Sequence, residues 1–125
     1  IDKNAGHIVN MGSTAGIYAY PGGAVYCATQ AAVKTLSDGI RMDTSATDIK
    51  VTTIQPGIVE TPFSEVRFPG DAERAKAVYA GSDAIQPEDV ADVVLYVTNQ
   101  PKRLQISDVT IMANQQAAGF MVHKK

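Results

Sequence analysis

Paired cysteines are absent. The chain has one cysteine, Cys27, so no internal disulfide can form. CxxC pairs and Cys/His clusters are missing too, and His7 and His123 lie far apart without ligand spacing. A strand edge and a tail are their expected places, and no metal is expected. With 11 basic and 13 acidic residues and a formal net charge of −2, the chain has no Lys/Arg run that could track a phosphate backbone. Nucleic-acid binding is therefore not expected. The closing His123-Lys124-Lys125 is expected to be a solvated tail. No apolar run reaches the roughly 20 residues of a membrane helix, so no membrane partner is expected. The opening IDKNAGHIVN lacks the basic-then-apolar order of a signal peptide. A reducing, cytoplasmic setting is the default. An initiator Met is also lacking, and the chain is expected to begin in mid-domain.

What is present has the balance of a soluble globular protein: 125 residues, 45% hydrophobic and 19% charged, enough for one core. GHIVNMGS is a short β-branched run bounded by glycines, the mark of a buried strand, and Ser13 stands at its end. YAYPGG then breaks the chain, with Pro21 suited to a turn corner and Gly22 and Gly23 able to take positive φ. From about Ala24 the period turns helical. Val25, Ala28, Ala32, Val33, Leu36 and Ile40 form an apolar face that must pack on something, and the helix is expected to end between Thr44 and Thr47. KVTTIQPGIVET reads as a second strand, closed by Pro56-Gly57, so the pair should form a parallel βαβ unit.

TPFSEVRFPGD reads as loop, and AERAKAVYA as a short helix with an outer, lid-like face. QPEDVADVVLYVTNQP carries the plainest helix signals. Pro87 suits the first position, Glu88 and Asp89 complement the dipole, and Val90, Val93, Val94 and Val97 make one stripe before Pro101. SDVTIMA restores alternation as a third strand, with Val109, Ile111 and Ala113 on one face. Strands alternating with helices indicate an α/β fold with a doubly wound parallel sheet, and residues 1–125 read as one partial domain of that kind. Three strands are few for such a sheet, and near-continuous apolar strands need neighbours on both edges. An N-terminal half is expected to be missing.

Ser13 at a strand end, Tyr26 at the next helix start and PGIVET after the following strand together resemble the short-chain dehydrogenase/reductase family. GSTAG, YPGGAVYCATQ and PGIVETPFSEVRFPGD are most similar to its NADP-dependent 3-hydroxy-acid and serine dehydrogenase group, and the resemblance runs over essentially the whole chain. It implies a Rossmann-like fold, of which this would be the C-terminal half. It also implies hydride transfer between a nicotinamide cofactor and a small alcohol or ketone. By resemblance, Ser13 holds the substrate oxygen, Tyr26 gives or takes its proton, and Pro56, Gly57, Ile58, Val59 and Thr61 meet the nicotinamide, with Tyr26 and the position of Gln30 beside the ribose. The cofactor is NADP or NAD, NADP being favoured by resemblance only. The residues that read the 2′-position would lie in the missing half. No glycine-rich dinucleotide fingerprint is present, and the family's upstream catalytic asparagine has no counterpart.

Ser13 and Tyr26 lie 13 positions apart, which lets a strand end and a helix start converge on one oxygen. Moving a hydride off an alcohol carbon requires a proton to move on its oxygen, and a phenol, pKa about 10 in water, needs help to do so. The family supplies it with a lysine four residues after the tyrosine, on the same helix face. Here that residue is Gln30. Glutamine keeps the hydrogen bond and loses the charge, so the site is expected to be impaired. Arg67 is expected to pair with a substrate carboxylate, as a hydroxy acid would require. Cys27 has no His partner and reads as a small packed hydrophobe, not a nucleophile. Two readings stay open: part of an oxidoreductase acting on a small-molecule substrate, or a non-catalytic remnant or assembly module. Family members form tetramers through such helices, so a homo-oligomer, dimer or tetramer, is expected in either case.

Overall fold

The structure, a computed structural model, describes all residues 1–125. Three parallel strands, β1 (Gly6–Met11), β2 (Ile49–Pro56) and β3 (Asp108–Ile111), form one sheet in the order β1-β2-β3. Register runs from Gly6 opposite Ile49 to Met11 opposite Ile54, and from Thr53 opposite Asp108 to Pro56 opposite Ile111. The parallel α/β reading and the strand, helix and strand order expected from sequence are therefore as observed. β2 occupies the centre, and Val51, Thr52, Thr53 and Ile54 have no exposed surface. Side chains that alternate between the two faces are thus all covered, as a central parallel strand requires. β1, read from sequence as a buried strand, is instead an edge of this sheet, and Ile8 and Met11 stay exposed.

α1 (Ala24–Asp43) and α4 (Pro87–Thr98) both pack against β2. α4 begins as expected, with Pro87 in its first turn and a reciprocal cap between Gln86 and Asp89. Its buried anchor is Val97, 1% exposed. α1 has the expected ends, and of its expected apolar stripe only Val33 and Ile40 are half-buried. Val25 is 80% and Leu36 61% exposed, and Ala28 and Ala32 are exposed with them. The side turned inward is small and polar. Cys27 and Ser37 are buried, and Ser37 Oγ donates to Val33 O (2.8 Å) while accepting from Asn10 Nδ2 of β1 (2.9 Å). Arg41 reaches under the sheet, donating from Nε to Val51 O (3.2 Å) and from Nη2 to Ser107 O (3.1 Å). Small side chains let the helix lie close to the strands, and the hydroxyl and guanidinium satisfy groups that would otherwise be buried without partners. Periodicity located an apolar stripe, and most of it faces away from the sheet.

The segment read as loop holds a helix, α2 (Phe63–Arg67), which leads through a turn at Gly70 (φ 80°) to α3 (Ala72–Ala77). The Asp71 carboxylate caps α3 by accepting from Arg74 N–H (3.0 Å). After β3, a hairpin of β4 (Gln116–Ala118) and β5 (Met121–Val122) closes the chain, and no alternation had announced it. The tail that follows is exposed but docked. Lys124 Nζ donates to Ala77 O (2.7 Å), and Lys125 N–H donates to Gly81 O (2.9 Å). No helix is long and apolar enough to cross a membrane.

Candidate active site

All three parallel strands end on one side, and the chain leaving β1 and β2 lines a cleft there, the usual ligand position in an open α/β sheet. Gly12 N–H still pairs with Ile54 O (2.7 Å), and Gly57 N–H with Ile111 O (2.7 Å), so both loops start from fixed backbone. Ser13 follows in extended conformation (φ −163°, ψ 155°) and caps a single 3₁₀ turn, Thr14–Gly16. Its Oγ accepts from Ala15 N–H (3.0 Å). That bond uses an acceptor lone pair and leaves the hydroxyl hydrogen free to donate into the cleft.

On the opposite wall stands Tyr26, in the first turn of α1. Pro21 and Gly22 (φ 79°) make the preceding turn. A Cβ on Gly23 would overlap the Tyr20 ring, so only glycine lets Tyr20 fold back over the start of α1. Tyr26 is half-buried, with its ring 5.9 Å from that of Phe63 in α2.

The cleft, about 340 Å³, brings together Ser13, Tyr26, Pro56, Gly57, Ile58, Val59, Thr61 and Arg67. Arg67 is the only charged side chain on its walls. Its guanidinium carbon lies 5.4 Å from the Tyr20 ring centre and 5.1 Å from that of Phe68. No salt bridge occupies it. A guanidinium stacked on aromatic faces keeps its N–H edge open to an anion. Burial pushes the Tyr20 phenol above its ordinary range, and the neighbouring Arg67 opposes this in part. Tyr20 is accordingly a neutral hydrogen-bonding wall.

Gln30 does not line the cleft. It stands one turn beyond Tyr26, half-buried, and its Oε1 is enclosed without a hydrogen-bond partner. A Cβ on Gly16 would collide with the Gln30 backbone, so the 3₁₀ turn sits directly on this part of α1.

The backbone after β2 has a definite recognition edge. Ile85 N–H donates to Ile58 O (3.1 Å), and Ile85 O accepts from Glu60 N–H (2.9 Å). These bonds flank Val59 in a parallel bridge and leave the N–H and C=O of Val59 without protein partners. In extended chain those two groups point away from Ile85. A donor and an acceptor side by side suit a primary carboxamide, which offers the complementary pair. Gln116 braces this loop. Buried in β4, it accepts from Ile58 N–H through Oε1 (2.9 Å), and a Cβ on Gly57 would overlap its carboxamide.

Sequence reasoning did not single out Tyr20, Phe63, Ser64, Tyr79 or Gln116. Tyr20 lies inside the quoted YAYPGG, and its place beside Gly23 was the available signal. The others are set by contacts distant in sequence. Cys27 is a buried free thiol, as its packing role required.

Residues 1–72 match the sequence profile of the short chain dehydrogenase family. The NADP-dependent 3-hydroxy acid dehydrogenase of Salmonella typhi is 44% identical over 99% of this chain and 51% of its own length. That of Schizosaccharomyces pombe is 39% identical over 98% of this chain and 48% of its own. Among solved structures, the closed form of serine dehydrogenase complexed with NADP⁺ superimposes with a TM-score of 0.91 at 42% identity, covering 100% of this chain and 51% of that one. The chain thus spans about half the length of the curated relatives it matches.

Proposed function

The chain belongs to the short-chain dehydrogenase family, and on that premise we propose that it is the substrate-side, C-terminal half of an NADP-dependent oxidoreductase acting on small 3-hydroxy acids. The observation that carries this reading is the shared cleft, in which Ser13, Tyr26, the free edge of Val59 and the single charge of Arg67 face one space. NADP is preferred to NAD on the strength of the NADP-dependent relatives.

Each group has a task its chemistry allows. The Val59 N–H and C=O would hold the carboxamide of a nicotinamide, with Pro56, Gly57, Ile58 and Thr61 shaping the loop. When bound, the nicotinamide supplies or accepts the hydride at the substrate carbon. Ser13 donates its hydroxyl hydrogen to the substrate oxygen and fixes it near Tyr26. Tyr26, as the phenolate, takes the hydroxyl proton as the alcohol is oxidised, and the phenol so formed returns it in the reverse direction. Arg67 pairs with the carboxylate, which turns the carbinol carbon of a 3-hydroxy acid towards the catalytic pair.

Gln30 supports a second reading, a weakened or lost activity. The cation that the family places next to the tyrosine is replaced by a neutral amide whose oxygen is enclosed without a partner. A loss of about 10² to 10⁴ in rate is the scale of general acid–base assistance. The exposed stripe of Val25, Ala28, Ala32 and Leu36 on α1 supports assembly into a homo-oligomer, dimer or tetramer.

The test is to fuse the chain to the remaining half of the Salmonella typhi relative and measure NADP-linked oxidation of 3-hydroxy acids, with Gln30 and with Gln30→Lys. Measurable turnover that rises at least about tenfold in Gln30→Lys is expected. Equal rates in both would remove the impairment, and no turnover in either would count against the oxidoreductase reading.

A further inference from the structure

α2 is only 5 residues long, and its N-cap, Pro62, provides no side-chain cap. A helix this short does not hold itself together in water, so its position must be imposed from outside. One phenol does this. Tyr79, just beyond α3, accepts from Ser64 Oγ of α2 (2.9 Å) and donates to Thr61 O (3.1 Å), and Thr61 N–H lies at 3.5 Å from the same oxygen. The Ser64 side chain is 3% exposed, and Tyr79 is the only partner of its hydroxyl.

The knot also has a definite place. Thr61, Ser64 and Tyr79 are walls of the cleft and equally of a second cavity, about 640 Å³, between α2 and α3. They form the partition between the two. On the cleft side of this partition α2 carries Phe63, its ring tilted 38° to that of Tyr26, and Arg67, over the Tyr20 ring. On the other side of the knot, Thr61 closes the loop that begins at Gly57. A single hydroxyl therefore ties the helix that bears the anion-binding residue to the backbone that bears the carboxamide edge.

We propose that Tyr79 is a positioning residue, whose hydroxyl fixes α2 on the Thr61 backbone and so sets Phe63 against Tyr26 and Arg67 at the cleft. This deepens the proposed function by naming what holds its specificity residue in place. The tether itself stands on hydrogen-bond geometry and not on the reaction. Tyr79→Phe keeps the ring as a wall of both cavities, removes both short bonds, and strands a buried serine hydroxyl.

The experiment is amide hydrogen exchange and NMR on the 125-residue chain. In Tyr79→Phe, exchange of the amides of residues 61–67 should rise about tenfold or more, while those of β2 stay within about twofold. The cross-peak between the Tyr26 and Phe63 rings should weaken or vanish. Ser64→Ala removes only the Ser64–Tyr79 bond and should give a smaller rise in the same amides, and the double variant should not exceed Tyr79→Phe, which already lacks that bond. Unchanged exchange with an intact ring cross-peak would make the hydroxyl a bystander and overturn the proposal. A rise that spreads to β2 would overturn it too, since Tyr79 would then support the whole fold. If α2 loosens as expected but 3-hydroxy acids never react, the tether stands and the substrate reading falls.

Discussion

β2 is buried from Val51 to Pro56 and pairs with a strand on each side, whereas α2 and α3 together bury only Ser64 and Ala75. The floor of the cleft is thus positioned by repeated backbone pairing, so Ser13 and the Gly57 to Val59 loop inherit the rigidity of the sheet. The lid is positioned by single side chains: Asp71 on Arg74, Tyr79 on Ser64 and Thr61, Arg67 between two aromatic rings. Ser13 rests on the floor, Tyr26 on the first turn of α1, and Arg67, the proposed anion-binding residue, on the lid. Chemistry and substrate choice should therefore respond to different substitutions.

The largest separation is expected between Ile54 and Phe63. Ile54 has no exposed surface, and Ile54→Ala should cost about 2–5 kcal/mol in denaturant unfolding. Phe63 is 49% exposed, and Phe63→Ala should cost less than about 1 kcal/mol, in line with a site off the core. Equal costs would break the distinction between floor and lid.

Arg67→Ala sharpens it from the other side. Losing a charge-assisted pair is worth about 1.5–3 kcal/mol, so the fusion described above should show a KM for 3-hydroxy acids raised about tenfold to a hundredfold. Its unfolding midpoint should not move, and for neutral alcohols KM should not change. A fall in kcat with unchanged KM would place Arg67 in the chemistry instead.

The smallest effect concerns pH and belongs to the floor alone. Thr52 Oγ1 donates to Ile106 O (2.6 Å), so the 2.7 Å contact with His7 requires the His7 Nε2–H to donate to Thr52. Burial, and then Lys50, hold the His7 pKa below its ordinary 6.5. The unfolded chain therefore takes up the proton first. The stability from neutral His7 is complete above 6.5 and is lost as pH falls towards and through the lower folded value. Between about pH 7.5 and about pH 5.5 the urea midpoint should drop, and His7→Gln, which can keep a donor to Thr52, should drop less. Protection factors of the α2 amides, with the intrinsic pH dependence of exchange divided out, should show no such trend.

What could be read from sequence follows the same division. β1, β2, β3 and α4 were legible because apolar runs, Pro87 and the Pro56-Gly57 stop are local signals of elements that the sheet then stabilises. Ser13, Tyr26 and the Gly57 to Val59 loop were singled out through the family resemblance, and because each directly follows or begins such an element the fold brings them to one cleft. α1 was legible in extent, while the side that meets the sheet was not. The Val25 to Leu36 stripe shows that an apolar face exists, while Ser37 and Arg41, which make the actual contact, look like surface residues until Asn10 and Val51 are seen beside them. α2 was missed because a helix of 5 residues, set between Pro62 and Pro69, carries no usable period. Tyr79 and Gln116 were missed because their partners, Ser64 and Ile58, are set by the fold and not by spacing.

The most direct measurement is NMR titration of the 125-residue chain with NADPH, following the backbone amides. If the loop after β2 is the nicotinamide edge of the cleft, millimolar NADPH should move the signals of Val59 and Thr61 together with those around Ser13 and Tyr26. Signals of α4 and of the outward stripe of α1 should stay in place. No movement at Val59, or movement only away from the cleft, would contradict the assignment of this site to a nicotinamide cofactor.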